Sequence, residues 1–161
     1  MPLTPAQQIT LKAAVIADVQ LNAFPRTQDG AYAIASLLNQ AASPSFTAWK
    51  TNVAINDVGK AFNGTELAGL TTGNQSRLQT IALYLAGGVN PSLADNRAFF
   101  DDVFSGAGGT ATRAKLLILW KRLATRVEKI FATGTGTDIA PATLVFEGTV
   151  SGTDVNDAMG W

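Results

Sequence analysis

The longest helical pattern in the sequence lies between residues 108 and 133. Apolar residues recur there at steps of three and four positions, which places them on one face of an α-helix. They are Leu116, Trp120, Leu123, Val127 and Ile130. Six of the chain's 12 lysines and arginines occupy the other faces of this stretch. Gly108 and Gly109 break the chain before the helical pattern, and Gly134 follows its end. The pattern therefore predicts one long basic helix.

Five shorter helices are predicted upstream, where apolar patterns begin at a capping residue or a proline. Their expected starts are Thr4-Pro5, Asp29-Gly30, Ile55, Thr72 and Pro91-Ser92. Ser43-Pro44 favours a short capped turn, and the segment after Phe62 favours a loop. The core candidates on these elements are Ile9, Leu11, Ala13, Val15, Ile16, Tyr32, Ile34, Ala35, Leu37, Leu38, Leu78, Ile81, Leu85, Leu93, Phe99, Phe100, Val103 and Phe104. The expected fold is mainly α, with a compact domain of five or six helices.

After Phe131 the pattern changes from helical to extended. Residues 134–141 are rich in glycine and threonine, which predicts a flexible linker. Residues 143–150 have the β-branched and aromatic bias of strands, and Glu147-Gly148 favours a hairpin turn between them. One helical turn is expected at 153–159. The chain is therefore expected to divide into a helical domain, residues 1–133, and an extended C-terminal arm, residues 134–161.

The expected arm carries apolar side chains that an isolated hairpin could not bury. A two-stranded hairpin alone is marginal in water. The apolar positions are Leu144, Val145, Phe146 and Val150, and Trp161 ends the chain. We expect residues 142–151 to gain order by adding strands to, or packing on, a neighbouring protein, with Trp161 anchoring the tail on its own domain or on a neighbour.

Composition narrows the function classes. Hydrophobic residues make up 47% of the 161 positions and charged residues only 15%, which favours apolar surface that meets partners. The formal net charge is zero, so the chain has no overall attraction to nucleic acid or to an anionic membrane. Cysteine and histidine are both absent, which excludes disulfides, thiol catalysis, Cys/His zinc sites and histidine acid–base chemistry. No signal peptide or membrane-spanning run is present in the sequence pattern, and we expect a soluble protein.

Two motifs that could carry chemistry have simpler interpretations. GTGT at 134–137 follows a predicted helix and precedes a predicted strand, the reverse of the order in nucleotide-binding loops. Asp101 and Asp102 are adjacent, so their side chains diverge by about 100° on a helix and do not form a metal site by themselves. We expect no enzyme activity, no cofactor and no small-molecule substrate.

The basic residues of the long helix leave three interpretations open. Arg122, Arg126 and Lys129 form a row at i, i+4 and i+7. The row could be a solvated face, or it could pair with Asp101 and Asp102 on a neighbouring helix or subunit. The third interpretation is contact with the phosphates of DNA.

Four stretches together carry a resemblance to a known group of proteins. They begin LTPAQQITLKAAVIAD, DGAYAIASLLNQAASPSFTAWKT, LTTGNQSRLQTIALYLAGG and RLATRVEKIFATGTGTDIAPA. These stretches resemble a family of small proteins encoded by tailed bacteriophages, and they cover most of the chain. The resemblance implies a structural protein of the virion, in the head–tail connector or the tail region. It brings no catalytic residue with it.

The leading hypothesis is a head–tail adaptor that forms a homo-oligomeric ring between portal and tail. Its partners would be portal or tail-ring subunits, with contact to packaged DNA through phosphates as a further expectation. Such a protein is made in the host cytoplasm and ends in the virion. The alternatives are a capsid-decorating or tail-attached protein and, from a second class, a phage DNA-binding regulatory factor favoured by the basic helix.

Overall fold

A computed structural model describes residues 2–161, and the expected mainly α class is confirmed. The described residues contain ten α-helices: α1 Pro5–Ala17, α2 Val19–Asn22, α3 Gln28–Leu38, α4 Ile55–Ala61, α5 Gly64–Ala68, α6 Thr72–Tyr84, α7 Ala94–Val103, α8 Thr110–Leu119, α9 Arg126–Ile130 and α10 Gly152–Met159. Four short strands form two two-stranded sheets: β1 Thr47–Trp49 with β2 Lys121–Leu123, and β3 Ala132–Thr133 with β4 Thr143–Leu144. Across residues 2–161, none of the helices combines the length and the apolar character needed to cross a bilayer.

The chain forms two compact units, one built from two separate segments and the other from one continuous segment. Unit 1 combines the chain up to Ala48 with Leu123–Trp161, whereas unit 2 is the continuous segment Trp49–Arg122. The boundary expected after residue 133 differs from this division. Residues 134–161 belong to unit 1 because α10 packs against α3 and α1.

Unit 1 has an aliphatic core built by α1, α3, α9 and α10. Its buried members include Leu11, Val15, Ile34, Leu38, Val127, Val150 and Val155. Thr4 caps α1 with Pro5 in the first turn, as predicted, and Gln7 completes a capping box. The predicted core positions Ile9, Ile16 and Tyr32 are wrong, since they are 72%, 51% and 52% exposed. The stripe of α1 that faces the core is narrow and holds only Leu11 and Val15.

Unit 2 has an aromatic core. Phe100 and Phe104 of the α7 region are fully buried with Leu116 and Trp120, and the Phe100 and Trp120 rings meet edge-on at a centroid distance of 5.5 Å. The predicted helices at 55–62, 72–88 and 91–106 correspond to α4, α6 and α7, but α5 forms where a loop was expected. Leu93 is 55% exposed and is not a core residue. No residue of α6 is buried, so this helix lies on the surface of unit 2.

The single long helix expected over 108–133 is wrong. Helix α8 ends at Leu119, the chain extends through β2, and α9 begins only at Arg126. Thr125 accepts a hydrogen bond from the Glu128 N–H, and the Glu128 side chain accepts one from the Thr125 N–H, which is a capping box that starts a new helix. Backbone bonds outside the helix also fix the break, because the Ala124 N–H donates to the Phe46 carbonyl at 2.9 Å. Leu123, expected in the core, is 62% exposed.

The expected extended arm is also wrong. Strands β3 and β4 pair antiparallel, with Ala132 opposite Leu144 and Thr133 opposite Thr143. The predicted linker 134–141 is thus the loop of this hairpin, and the predicted hairpin around Glu147-Gly148 does not form. Residues 142–151 pack on unit 1 itself. The helical turn expected at 153–159 is confirmed as α10.

Ser43-Pro44 was expected to start a helical turn, and that expectation is wrong as well. The segment leads directly into β1, and the Thr47 N–H donates to the Gly136 carbonyl at 2.7 Å. A backbone bond to such a distant residue competes with the local i to i−4 bond of a helix. Phe46 is buried beside this segment together with Ala48, Ala124 and Leu144.

Candidate interaction surface

Arg126, the central residue of the predicted basic row, forms an ion pair within unit 1. Its Nη2 lies 2.8 Å from Oδ2 of Asp18, and its Nη1 donates to Oε1 of Gln20 at 3.3 Å. The two charged side chains are 23% and 35% exposed, respectively. This pair connects the start of α9 to the junction between α1 and α2. The acid that Arg126 meets is therefore Asp18, rather than Asp101 or Asp102.

Asp18 is held in this position by the backbone as well as by Arg126. Its Oδ1 accepts hydrogen bonds from the N–H groups of Gln20 and Leu21, at 2.9 and 3.1 Å, and so caps α2. The Leu21 N–H and the Arg126 guanidinium lower the pKa of Asp18, because both favour the ionised carboxylate. The Asp18 carboxylate is therefore ionised near neutral pH.

The other two residues of the row lie in different surroundings. Arg122 belongs to β2, while Lys129 belongs to α9, so the row does not lie on one helix face. The Lys129 ammonium is 5.5 Å from the centroid of the Phe46 ring, at the distance of a cation–π contact. Lys129 is exposed at the surface of unit 1.

Arg126 and Lys129 border an open pocket of about 300 Å³ in unit 1. Apolar side chains of α2, α3 and α9 line it, namely Leu21, Leu38 and Ile130, together with Ala14 and Ala42. Asp18 and Ser43 complete the lining. Since Asp18 is paired with Arg126, Lys129 gives the rim a net positive charge. Leu21 and Leu38 are themselves buried, at 2% and 0% exposure, so they offer little open surface to the pocket.

The acids of α7 meet other partners. Asp102 Oδ2 lies 2.7 Å from Nη2 of Arg77, whose guanidinium also lies 5.3 Å from the centroid of the Phe99 ring. The Arg77 and Asp102 side chains are 45% and 65% exposed, so this pair is worth at most about 1 kcal/mol. Asp101 borders a second pocket of about 290 Å³ in unit 2, next to Arg97.

Trp120 also lines the second pocket. Its indole N–H is buried and has no hydrogen-bond partner among the described residues. The guanidinium of Arg97 lies 4.3 Å from the centroid of the Trp49 ring, and Arg113 donates to the Phe104 carbonyl. The arginines of this pocket are therefore engaged by unit 2 itself. Within residues 2–161 no group of three or more acidic side chains is placed to hold a metal ion.

The apolar residues of the expected arm contribute to unit 1. Leu144 and Val150 are buried, and the Phe146 ring lies 5.2 Å from that of Phe131. Trp161 packs at the edge of the aliphatic core. Only Val145, at 71% exposure, remains outside. These residues hold their own unit together, and the expectation that they form a docking arm for a neighbour is withdrawn.

Two polar residues that link distant segments of unit 1 were not predicted from the sequence. Glu128 is only 3% exposed, and its Oε1 accepts a hydrogen bond from the Gly148 N–H at 3.1 Å. Asn39 bonds both backbone groups of Val150, donating to its carbonyl at 2.8 Å and accepting from its N–H at 3.0 Å. The spacing Thr125-x-x-Glu128 is a capping-box pattern that could have indicated the first of them. Nothing local to Asn39 indicates its partner 111 positions away.

Comparisons with known proteins found no relative of this chain. No protein-family model, curated protein or solved structure matches the chain.

Proposed function

We propose that this chain is a structural assembly protein of a tailed-phage virion, a head–tail adaptor that forms an oligomeric ring between portal and tail. The observation that carries the proposal is the resemblance of four long stretches, together most of the sequence, to small proteins of tailed bacteriophages. The composition is consistent with it, since the chain lacks histidine and cysteine and has few charges. The protein would be made in the host cytoplasm and retained in the particle.

Apolar surface supports an assembly role. Leu83 and Tyr84 at the end of α6 are each 80% exposed, and Ile118 of α8 is 74% exposed. In unit 1, Val19 and Ile139 are 88% and 97% exposed. A single exposed apolar side chain is ordinary in a folded protein, but a ring subunit needs exposed apolar surface toward more than one neighbour. These positions are where contacts with other virion proteins are proposed.

The regulatory alternative has lost the feature that favoured it. That feature was an uninterrupted basic helix, and residues 108–133 form two separate helices with a strand between them instead. Arg126 is engaged with Asp18, and a positively charged row along one helix is therefore absent from the described surface. A DNA-binding regulatory factor remains only as an outcome of the test.

Mass spectrometry of purified virions with copy-number measurement tests the proposal. We expect the protein in the particle at a few copies, in a fixed ratio to the portal protein. Hundreds of copies would indicate capsid decoration, and co-purification with detached tails would indicate a tail-attached protein. Absence from virions, combined with salt-dependent binding to free DNA, would overturn the proposal in favour of a regulatory factor.

A further inference from the structure

The pocket bordered by Arg97, Asp101 and Arg113 lies entirely within unit 2 and combines charged groups with open apolar surface. Its volume is about 290 Å³. An apolar cavity of about 150 Å³ already holds benzene, so this volume admits a group the size of one amino-acid side chain. Leu117 is 44% exposed, and Ala114, one turn earlier on α8, is exposed as well. A ligand therefore meets accessible apolar atoms on this wall of the pocket.

Arg97 is held at the pocket through one face and one nitrogen. Its guanidinium lies 4.3 Å from the centroid of the Trp49 ring, and its Nη1 donates to the carbonyls of Pro91 and Ser92. A guanidinium has five N–H donors, and stacking on a ring occupies its face rather than these in-plane donors. Within residues 2–161 the Nε and Nη2 groups of Arg97 have no hydrogen-bond partner. The side chain is therefore held in position and still has donors for a ligand.

Arg113 has the same combination of a fixed position and remaining donors. Its Nη1 donates to the Phe104 carbonyl, and its guanidinium makes no further hydrogen bond or ion pair in the part of the chain that the structure describes. The nearby acid Glu66 bonds instead to the N–H groups of Ala111 and Thr112, at 2.9 and 2.8 Å. Two positioned cations thus border one pocket.

Asp101 sets the charge that a ligand must have. It borders the pocket and is exposed, and among the described residues it forms no ion pair with either arginine. Two guanidiniums and one carboxylate leave a single net positive charge. A ligand with one negative charge neutralises the pocket, whereas Asp101 repels a doubly charged phosphate more strongly.

We infer that this pocket binds a carboxylate carried on a short apolar stem, with the guanidiniums of Arg97 and Arg113 donating to its oxygens and Leu117 contacting the stem. Planar guanidiniums match the geometry of a carboxylate and form charge-assisted hydrogen bonds with it. A glutamate side chain of another protein and a free small organic acid share this chemistry. DNA fits less well, because its row of phosphates would pass the carboxylate of Asp101 at the rim. The inference goes beyond the proposed function, since it concerns unit 2 alone, whatever complex contains the chain.

Titration of the isotope-labelled full-length chain, followed by NMR of the indole N–H groups, tests the site. Trp49 and Trp120 line the pocket, and Trp161 of unit 1 is an internal control. The Trp120 N–H is covered, so its signal reports on its surroundings and not on a direct ligand contact. The probe is a capped glycine–glutamate–glycine tripeptide at constant ionic strength, and the same peptide with glutamine is its uncharged match. We expect the glutamate peptide to shift the Trp49 and Trp120 signals with a dissociation constant of about 1 mM, and the glutamine peptide to shift neither.

A parallel titration with butyrate distinguishes the two sources of the carboxylate. Tighter binding of the glutamate peptide than of butyrate assigns the site to a protein partner. Equal or tighter binding of butyrate assigns the site to a free organic acid.

Variants at the rim test the charges. Arg113→Gln should weaken binding of the glutamate peptide by about 10-fold, the effect of losing one charge-assisted hydrogen bond. Asp101→Asn should tighten binding by about 3-fold, because it removes a like charge beside the ligand. Asp102→Asn is the matched control, since Asp102 is the adjacent acid, lies outside the pocket and pairs with Arg77. Circular dichroism checks folding, and the comparison of the two exposed aspartates decides the matter if Arg113→Gln does not fold.

Four results would overturn the inference. The first is the absence of a saturable shift with either carboxylate probe up to about 50 mM. The second is an equal shift with the glutamine peptide, and the third is an Asp101→Asn variant that binds like Asp102→Asn. The fourth is a short DNA duplex that shifts the Trp49 and Trp120 signals at lower concentration than the carboxylates, which would assign the pocket to phosphates. These measurements use purified protein, so their failure is distinct from absence of the protein from virions, which is what overturns the proposed function.

Discussion

The two units differ in how the chain builds them. Unit 2 is one continuous segment, whereas unit 1 joins the first part of the chain to its last part. In unit 2 the buried aromatic residues lie close together in sequence. Phe100 and Phe104 occupy successive turns on one face of the α7 region. In unit 1 the Asn39–Val150 hydrogen bonds join residues 111 positions apart. Unit 1 therefore depends on the two ends of the chain meeting, whereas the hydrogen bonds that span unit 2 join residues nearer in sequence, such as Glu66 with the N–H groups of Ala111 and Thr112.

The largest expected effect comes from removing the C-terminal part of unit 1. A chain ending at Thr133 loses Leu144, Val150 and Val155, and each such buried side chain contributes about 1.5–3 kcal/mol. Their sum is a large share of the about 5–15 kcal/mol that stabilises an ordinary domain. We expect unit 1 to lose cooperative folding while unit 2 keeps its helices.

Amide hydrogen exchange of the shortened chain distinguishes the two units. Amides of α3 should exchange rapidly, and amides of α7 and α8 should stay protected. Equal protection in both regions, together with an unchanged melting temperature, would show that residues 134–161 are a detachable arm after all.

Trp120 provides the corresponding test in unit 2. It is 3% exposed and contacts the Phe100 ring, so Trp120→Ala should reduce the free energy of unfolding by about 3–5 kcal/mol. Denaturant unfolding monitored by circular dichroism measures the loss. Ile118→Ala is the control within unit 2, because Ile118 is 74% exposed and should change stability by less than about 0.5 kcal/mol. Similar losses in the two variants would contradict the assignment of Trp120 to the core.

This comparison also explains which parts of the fold could be predicted from sequence. Helices α1 and α6 begin at the threonine caps Thr4 and Thr71, and Pro91 precedes α7, so the sequence shows the starts of these helices directly. The helical periodicity of 108–133 conveyed the burial of Leu116, Trp120 and Val127 but not the break between them. Periodicity continues across the break because the apolar spacing is preserved, while the capping box at Thr125 begins a second helix.

The C-terminal region was mispredicted for a different reason. Local β propensity indicated strands in residues 143–150, and only Thr143–Leu144 pair. The pairing partner is Ala132–Thr133, a two-residue strand without a local strand signal. In short strands tertiary contacts outweigh propensity. The candidate surface was likewise predicted only in part. Arg126 and Lys129 were singled out from the sequence. The partner Asp18 and the exposed turn at Ile139 were not, because they depend on long-range packing.

Asn39 tests the long-range hydrogen bonds of unit 1 with an intermediate effect. Asn39→Ala leaves both the N–H and the carbonyl of the buried residue Val150 without their side-chain partner. We expect a loss of about 1–3 kcal/mol in the free energy of unfolding, measured by denaturant titration. Asn22→Ala, at an exposed position of unit 1, should be nearly neutral. If Asn39→Ala were as stable as that control, water would be replacing the amide and the bonds would not secure the C-terminal segment.

The smallest expected effect is a pH dependence that belongs to unit 1. Hydrogen bonds from backbone N–H groups and the charge of Arg126 lower the pKa of Asp18 in the folded chain. The ordinary aspartate value in the unfolded chain is about 3.9, so the stabilisation from Asp18 is fully present above that pH. It is lost as pH falls below about 4, through the lower pKa of the folded state, where protonation breaks the ion pair. Because Asp18 is about one-third exposed, solvent screening limits the effect to about 1 kcal/mol or less.

Denaturant unfolding of the unmodified chain and of Asp18→Asn at pH 6 and pH 3 measures this pH dependence. The difference in stability between the two proteins should shrink at the lower pH, and a constant difference would mean that Asp18 stabilises unit 1 as a neutral α2 cap rather than as an ionised partner of Arg126.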